Sequence, residues 1–121
     1  MEQSEHASRK LFIMYFAIIL FVLLSNAAFG QIQIAYFNSD WNKANGVAWV
    51  HDLTDVTTTS TIDIANQTEL AKKHKIAVIP TIIIFKDGEE ILRFQADLSF
   101  KMVAVKEEVQ DEIDNIIMSD F

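Results

Sequence analysis

The chain contains no cysteine, one proline and three glycines in 121 residues. Without a thiol, no disulfide can staple the fold and no thiolate can act as nucleophile, metal ligand or electron carrier. Three glycines, one of them in the turn-like Lys86-Asp87-Gly88-Glu89, leave no glycine-rich loop to cradle a phosphate. Positive charge is scarce as well: ten Lys and Arg face seventeen Asp and Glu, a net charge of −7. Such a surface repels nucleic acid and anionic lipid and favours solubility. The three histidines show no HExxH pattern and no i, i+4 pair, so no metal is expected. No Ser-His-Asp order or pair of catalytic carboxylates can be argued, and no cofactor is implied.

What is present first is an apolar leader. Leu11 to Leu24, LFIMYFAIILFVLL, is uncharged and follows Arg9 and Lys10; SNAAFG then ends in Ala28-Phe29-Gly30. A basic flank, an apolar core and a small-x-small ending have the layout of a secretory signal peptide cut before Gln31. Glu2 and Glu5 depart from it by offsetting the two bases. The alternative is a retained anchor, because Leu11 to Phe29 as a helix would span roughly 28 Å, just enough for a bilayer core. Against an anchor stands the missing linker, since the strand-like QIQIAYF follows at once. The expectation is therefore a leader over 1–30 and one domain over 31–121, exported into a periplasmic or secreted setting. Removing residues 1–30 takes away two acids and two bases and leaves the −7 unchanged. So small a domain buries only about 60% of its unfolded surface, and its apolar core must suffice without disulfides.

Residues 31–37, QIQIAYF, are predicted as a strand. Val47, Ala48, Val50 and Leu53 fit a short helix from about Asn45 to Leu53, its start weakened by Asn45-Gly46. TTTSTIDI (57–64) is β-branched and strand-like. Asn66 to Glu69 has capping-box spacing ahead of a second helix through Leu70, Ala71 and His74. The continuous apolar run Ile82 to Phe85 reads as a strand covered on both faces. Lys86 to Glu89 turns it into an antiparallel return over Glu90 to Gln95. Ser99 is the expected cap of a final helix carrying Met102, Val105, Val109, Ile113, Ile116 and Ile117, with its acids on the opposite, solvated side. The order β-α-β-α-β-β-α predicts an α/β fold: a central mixed sheet of about four strands flanked by helices, its helix-separated strands parallel.

Two junctions carry a resemblance. Phe37-Asn38-Ser39-Asp40-Trp41-Asn42-Lys43-Ala44-Asn45 and Ile79-Pro80-Thr81, followed by IIIF and Lys86-Asp87-Gly88, resemble the thioredoxin family over residues 32–118. There an apolar strand ends in Phe and leads to small-acid-Trp-Cys-x-x-Cys. Asn42 and Asn45 stand at the two cysteine positions, and Tyr36 stands where the family keeps a buried carboxylate. The resemblance implies a three-layer thioredoxin-like sandwich, a cis bond before Pro80 and a partly exposed Trp41 beside it. Trp49 is the candidate for core.

It does not carry over the family's oxidoreductase activity, because an amide neither ionises nor exchanges with disulfides. For Asn42 the expected role is a helix cap, and for Asn45 a left-handed turn before Gly46. The candidate site is a peptide-binding face of Trp41, Asn42, Asn45, Ile79 and Pro80. There an extended protein segment of unknown identity would pair with the backbone around Ile79. The chain then reads as a redox-inactive, chaperone-like accessory module. The alternatives are a membrane-anchored interaction subunit using the acidic helix or a sheet edge, and an enzyme with non-thiol chemistry at the same face. His51 and His74 are expected to be ordinary helix-end residues.

Overall fold

The computed structural model describes residues 30–120; the leader expected over 1–30 lies, but for Gly30, outside them. Four strands, β1 (Ile32–Asn38), β2 (Thr58–Asp63), β3 (Thr81–Lys86) and β4 (Glu89–Gln95), form one sheet in the order β2-β1-β3-β4. Helices α1 (Thr68–Lys73) and α2 (Lys106–Met118) accompany them. The stretch between β1 and β2 winds into two 3-10 segments, Asp40–Asn45 and Ala48–Asp52. Asn42 departs from helical geometry and Gly46 is extended, so the single helix expected from Asn45 to Leu53 cannot form. A side chain at Gly46 would bring a Cβ within 3.1 Å of the Lys43 carbonyl.

β1 and β2 are parallel, as expected, but β3 runs antiparallel to β1 and so corrects the reading that all helix-separated strands are parallel. After α1, Lys75 at positive φ and the Ile76 N–H bonded back to the Ala71 carbonyl turn the chain, and it does not return to the start of β2. It re-enters the sheet at the end where it left, with Thr81 opposite Phe37.

Alternation along β1 splits the core in two. Ile32, Ile34 and Tyr36 join Ile82, Ile84, Val50, Val109 and Ile113 on the α2 face, with Trp49 packed against them as expected. Ala35 and Phe37 join Ile62, Ile83 and Phe85 on the α1 face, covered by Ile64, Leu70 and Ile76. Each fully buried aliphatic side chain contributes about 1.5–3 kcal/mol, which is how a domain with no disulfide among the described residues is held. The β3–β4 turn places Asp87 and Gly88 at positive φ, the geometry of a tight two-residue hairpin. Asp87 Oδ1 also accepts from Gly30 N (2.8 Å) and Gln31 N (3.1 Å), pinning the start of the domain to this end. Lys86 and Asp120 pair beside it.

Two expected helix caps are corrected. Asn66 does not cap α1, whose flanking residue is Gln67; its amide instead donates to Asp63 Oδ2 (3.3 Å). The end of α1 is served from another element: Arg93 Nη2 donates to the His74 carbonyl (2.9 Å) while its guanidinium grips Glu90. Ser99 caps nothing either, because α2 begins only at Lys106, leaving Met102 and Val105 outside it. Ser99 belongs to a tight loop around Asp97, described below. The acids of α2 do face solvent, and Gln110 braces the Thr54 backbone at 2.8 and 3.1 Å.

Candidate functional site

At the carboxyl end of β1 the chain assembles a line of amides. The Tyr36 hydroxyl accepts from Val47 N (2.8 Å) and from Asn38 Nδ2 (3.1 Å). Asn38 Oδ1 accepts from Asn42 Nδ2 (3.1 Å), which also donates to the Phe100 carbonyl (3.1 Å). Asn42 Oδ1 in turn accepts from Asn45 Nδ2 (2.9 Å). Asn42 is only 3% exposed, so this fully satisfied arrangement is what makes a polar side chain tolerable there.

Two expectations fail at this point. Asn42 caps no helix: it lies inside the first 3-10 segment, and its Oδ1, the atom a cap offers to backbone N–H groups, accepts from Asn45 Nδ2 instead. Asn45 does not adopt a left-handed conformation, since the positive-φ residues other than glycine among those described are Asp55, Lys75, Asp87 and Phe100. The amides face one another and the loop opposite, where a local reading would have turned them onto the backbone.

Phe100 is the residue that the sequence reading missed. It sits at φ 63°, and its ring meets the Trp41 indole edge-on, centroids 5.0 Å apart at 86°. Asp97 builds the loop that holds it. Oδ1 accepts from Ser99 Oγ (2.6 Å), Ser99 N (2.8 Å) and Lys101 N (3.2 Å), and Asp97 N donates to the Lys101 carbonyl (2.9 Å). The Ser99 hydroxyl first, then the Lys101 and Ser99 backbone N–H groups, hold the Asp97 carboxyl below its ordinary range. Asp97-Leu98-Ser99, an acid followed two residues later by serine, was the available signal for such a turn.

The expected site residues separate by depth. Trp41 is 65% exposed, as the resemblance implied, and Asn45 is half-buried. Asn42, Ile79 and Pro80 are buried, so the side chains of these three are not a contact surface. The Ile79–Pro80 peptide is cis. Ala96 N donates to the Pro80 carbonyl (3.0 Å), which ties the proline to the strand leading into the Asp97 loop, and through Phe100 to Asn42. Thus Trp41, Asn42, Asn45 and Phe100 form one cluster, and Ile79 and Pro80 lie at the same end of the sheet. Among the described residues the Ile79 backbone makes no hydrogen bond. A cavity of about 240 Å³ opens alongside, lined by Asn38, Ser39, Asp40, Lys43, Gly46, Thr61, Ile62 and Asp63, and it includes none of the expected site residues.

His74 corrects the helix-end reading. Its ring lies against Phe37 (5.8 Å) and Phe85 (5.4 Å), and burial, followed by the charge of Lys73, lowers its pKa, the opposite of what a helix carboxyl end does. His51 is exposed. Among the described residues no group of three His, Asp or Glu side chains could hold a metal, and no helix is long and apolar enough to cross a membrane.

No family model and no curated protein matches the chain. Solved structures do. A mutant thioredoxin from Halobacterium salinarum is 22% identical, with a TM-score of 0.60, over 73% of this chain and 76% of that one. A Nicotiana alata thioredoxin is 21% identical, with a TM-score of 0.62, over 82% and 84%. A thioredoxin from Thermosipho africanus is 21% identical, with a TM-score of 0.59, over 73% and 97%. The chain has the thioredoxin fold, in a sequence without the thiols on which dithiol exchange depends.

Proposed function

We propose that this thioredoxin-fold chain is a redox-inactive binding module that takes an extended protein segment at the Trp41–Phe100 end of its sheet. The observation that carries the reading is the exposed aromatic pair, held by a satisfied amide network where a dithiol would stand. An indole and a phenyl ring offer a rigid apolar platform at low entropy cost. The unbonded Ile79 backbone offers main-chain pairing beside it. The contacts of a bound segment would thus be Trp41, Phe100 and the Ile79 main chain, with Asn42 and Asn45 supporting from below. Such capture without chemistry is the work of a chaperone-like or accessory subunit. A non-enzymatic role accords with the line of asparagines, whose amides neither gain nor lose a proton near neutrality.

Export is the fate that the layout of residues 1–30 supports. Retention as a tether is the second reading, and the acidic, exposed side of α2 favours it as a contact surface. Both leave the aromatic end free. The chain enters the sheet at Ile32, beside Asp87 and the length of β1 away, or about 23 Å. The mature amino terminus, read by intact mass, separates them: Gln31 first means export with removal, Met1 means tethering. Binding itself is tested by NMR titration with extended peptides. Shifts at Trp41, Phe100 and Ile79 that vanish in Trp41→Ala are expected; shifts confined to α2 would remove the reading.

A further inference from the structure

The two edges of the sheet are built differently. β4 is guarded: it carries Glu89, Glu90 and Arg93, and a register shift against β3 between Ile84 and Phe85 leaves Ile91 bulged outward. Charge and bulging are the ordinary devices that stop an edge from pairing with another chain. β2 has neither. From Val56 to Ile62 the sequence is VTTTSTI, uncharged and rich in β-branched residues, in a chain of net charge −7. Its register with β1 is unbroken from Thr58 to Asp63, and no further described strand lies on its far side.

We propose that β2 pairs antiparallel with β2 of a second copy of this chain, joining two four-stranded sheets into one. The neutral edge is self-complementary in charge. With Ser60 opposite Ser60 of the second copy, Thr59 faces Thr61 and Thr58 faces Ile62, and cross-strand threonine pairs are favourable. The single acid of the strand, Asp63, then lies about 20 Å from its counterpart, well beyond the screening length at physiological salt. Because the net charges repel, association strengthens as salt rises. The pairing leaves Trp41 and Phe100 untouched, so it stands or falls apart from the binding proposed above.

Sedimentation of the chain as purified, from micromolar to millimolar concentration, should show a monomer–dimer equilibrium that shifts toward dimer with added salt. Ser60→Lys places two like charges directly opposite and should give monomer. Mixing it with Ser60→Glu should restore a dimer, as opposite charges across the seam attract. Thr61→Lys, at an exposed position, should also weaken the dimer at least tenfold while leaving Tm unchanged at dilutions where both chains are monomeric, which guards against a variant that merely unfolds. A monomer throughout, or a dimer indifferent to both lysines, overturns the proposal. So does a charge-reversed mixture that stays monomeric.

Discussion

Asn42→Ala removes the centre of the amide line while leaving its neighbours in place. Three hydrogen bonds disappear: to Asn38 Oδ1, to the Phe100 carbonyl and from Asn45 Nδ2. At about 1 kcal/mol net per neutral bond, this alone is about 3 kcal/mol, and a partner left buried without replacement costs about 1–3 kcal/mol more. Asn38 and Asn45 are only half-buried and recover part of that from water. The expected loss is therefore about 3 kcal/mol, or a fall in Tm of roughly 12–24 °C for a domain of this size. Urea unfolding followed by tryptophan fluorescence measures it. The loss should have a place as well as a size: amide exchange should quicken at Asp97–Lys101, because the Phe100 carbonyl loses its anchor. Asn45→Ala, at the half-buried end of the line, should lose about 1 kcal/mol. A deficit under about 1 kcal/mol for Asn42→Ala, with exchange in the Asp97 loop unchanged, would refute the claim that these amides organise the site.

Acid should destabilise the fold through His74. Its folded pKa is lowered from 6.5, chiefly by burial, while the unfolded chain keeps the ordinary value. The unfolded state therefore binds the proton first: the stability is complete above pH 6.5 and declines as pH falls through the lowered folded value. Urea midpoints at about pH 7.5 and 5 should differ in the wild type, and much less in His74→Gln. The double variant Asn42→Cys, Asn45→Cys should reduce a disulfide substrate only feebly, because position 42 is buried under the Phe100 carbonyl and an enclosed thiol has a raised pKa and poor access. Adding Asp97→Ala, which frees the loop that holds the Phe100 carbonyl, should raise the rate; efficient turnover by the double variant alone would show that the loop does not shield this position.

Local pattern told a good deal. The period of two along QIQIAYF, the apolar IIIF, the Asp87-Gly88 turn and the absence of sulfur concern neighbouring residues or composition, and they supplied the strands, the hairpin and the exclusion of dithiol chemistry. Caps at Asn66 and Ser99 were misread because serine and asparagine bind whichever backbone or side-chain group lies nearest. At Ser99 that group was the Asp97 carboxylate two residues away. The direction of β3 depended on where α1 stops and Lys75 turns the chain, which no local pattern marks.

The order of elements and the lost redox chemistry were thus written in the sequence itself, since each rests on composition or on contacts a few residues apart. The burial of Asn42, its bond to a carbonyl fifty-eight residues on and the edge-on contact of Trp41 with Phe100 were decided only when the sheet brought distant loops together. An asparagine carries two donors and one acceptor oxygen wherever it stands. Which partners they find is a property of the surroundings, and folding supplies those.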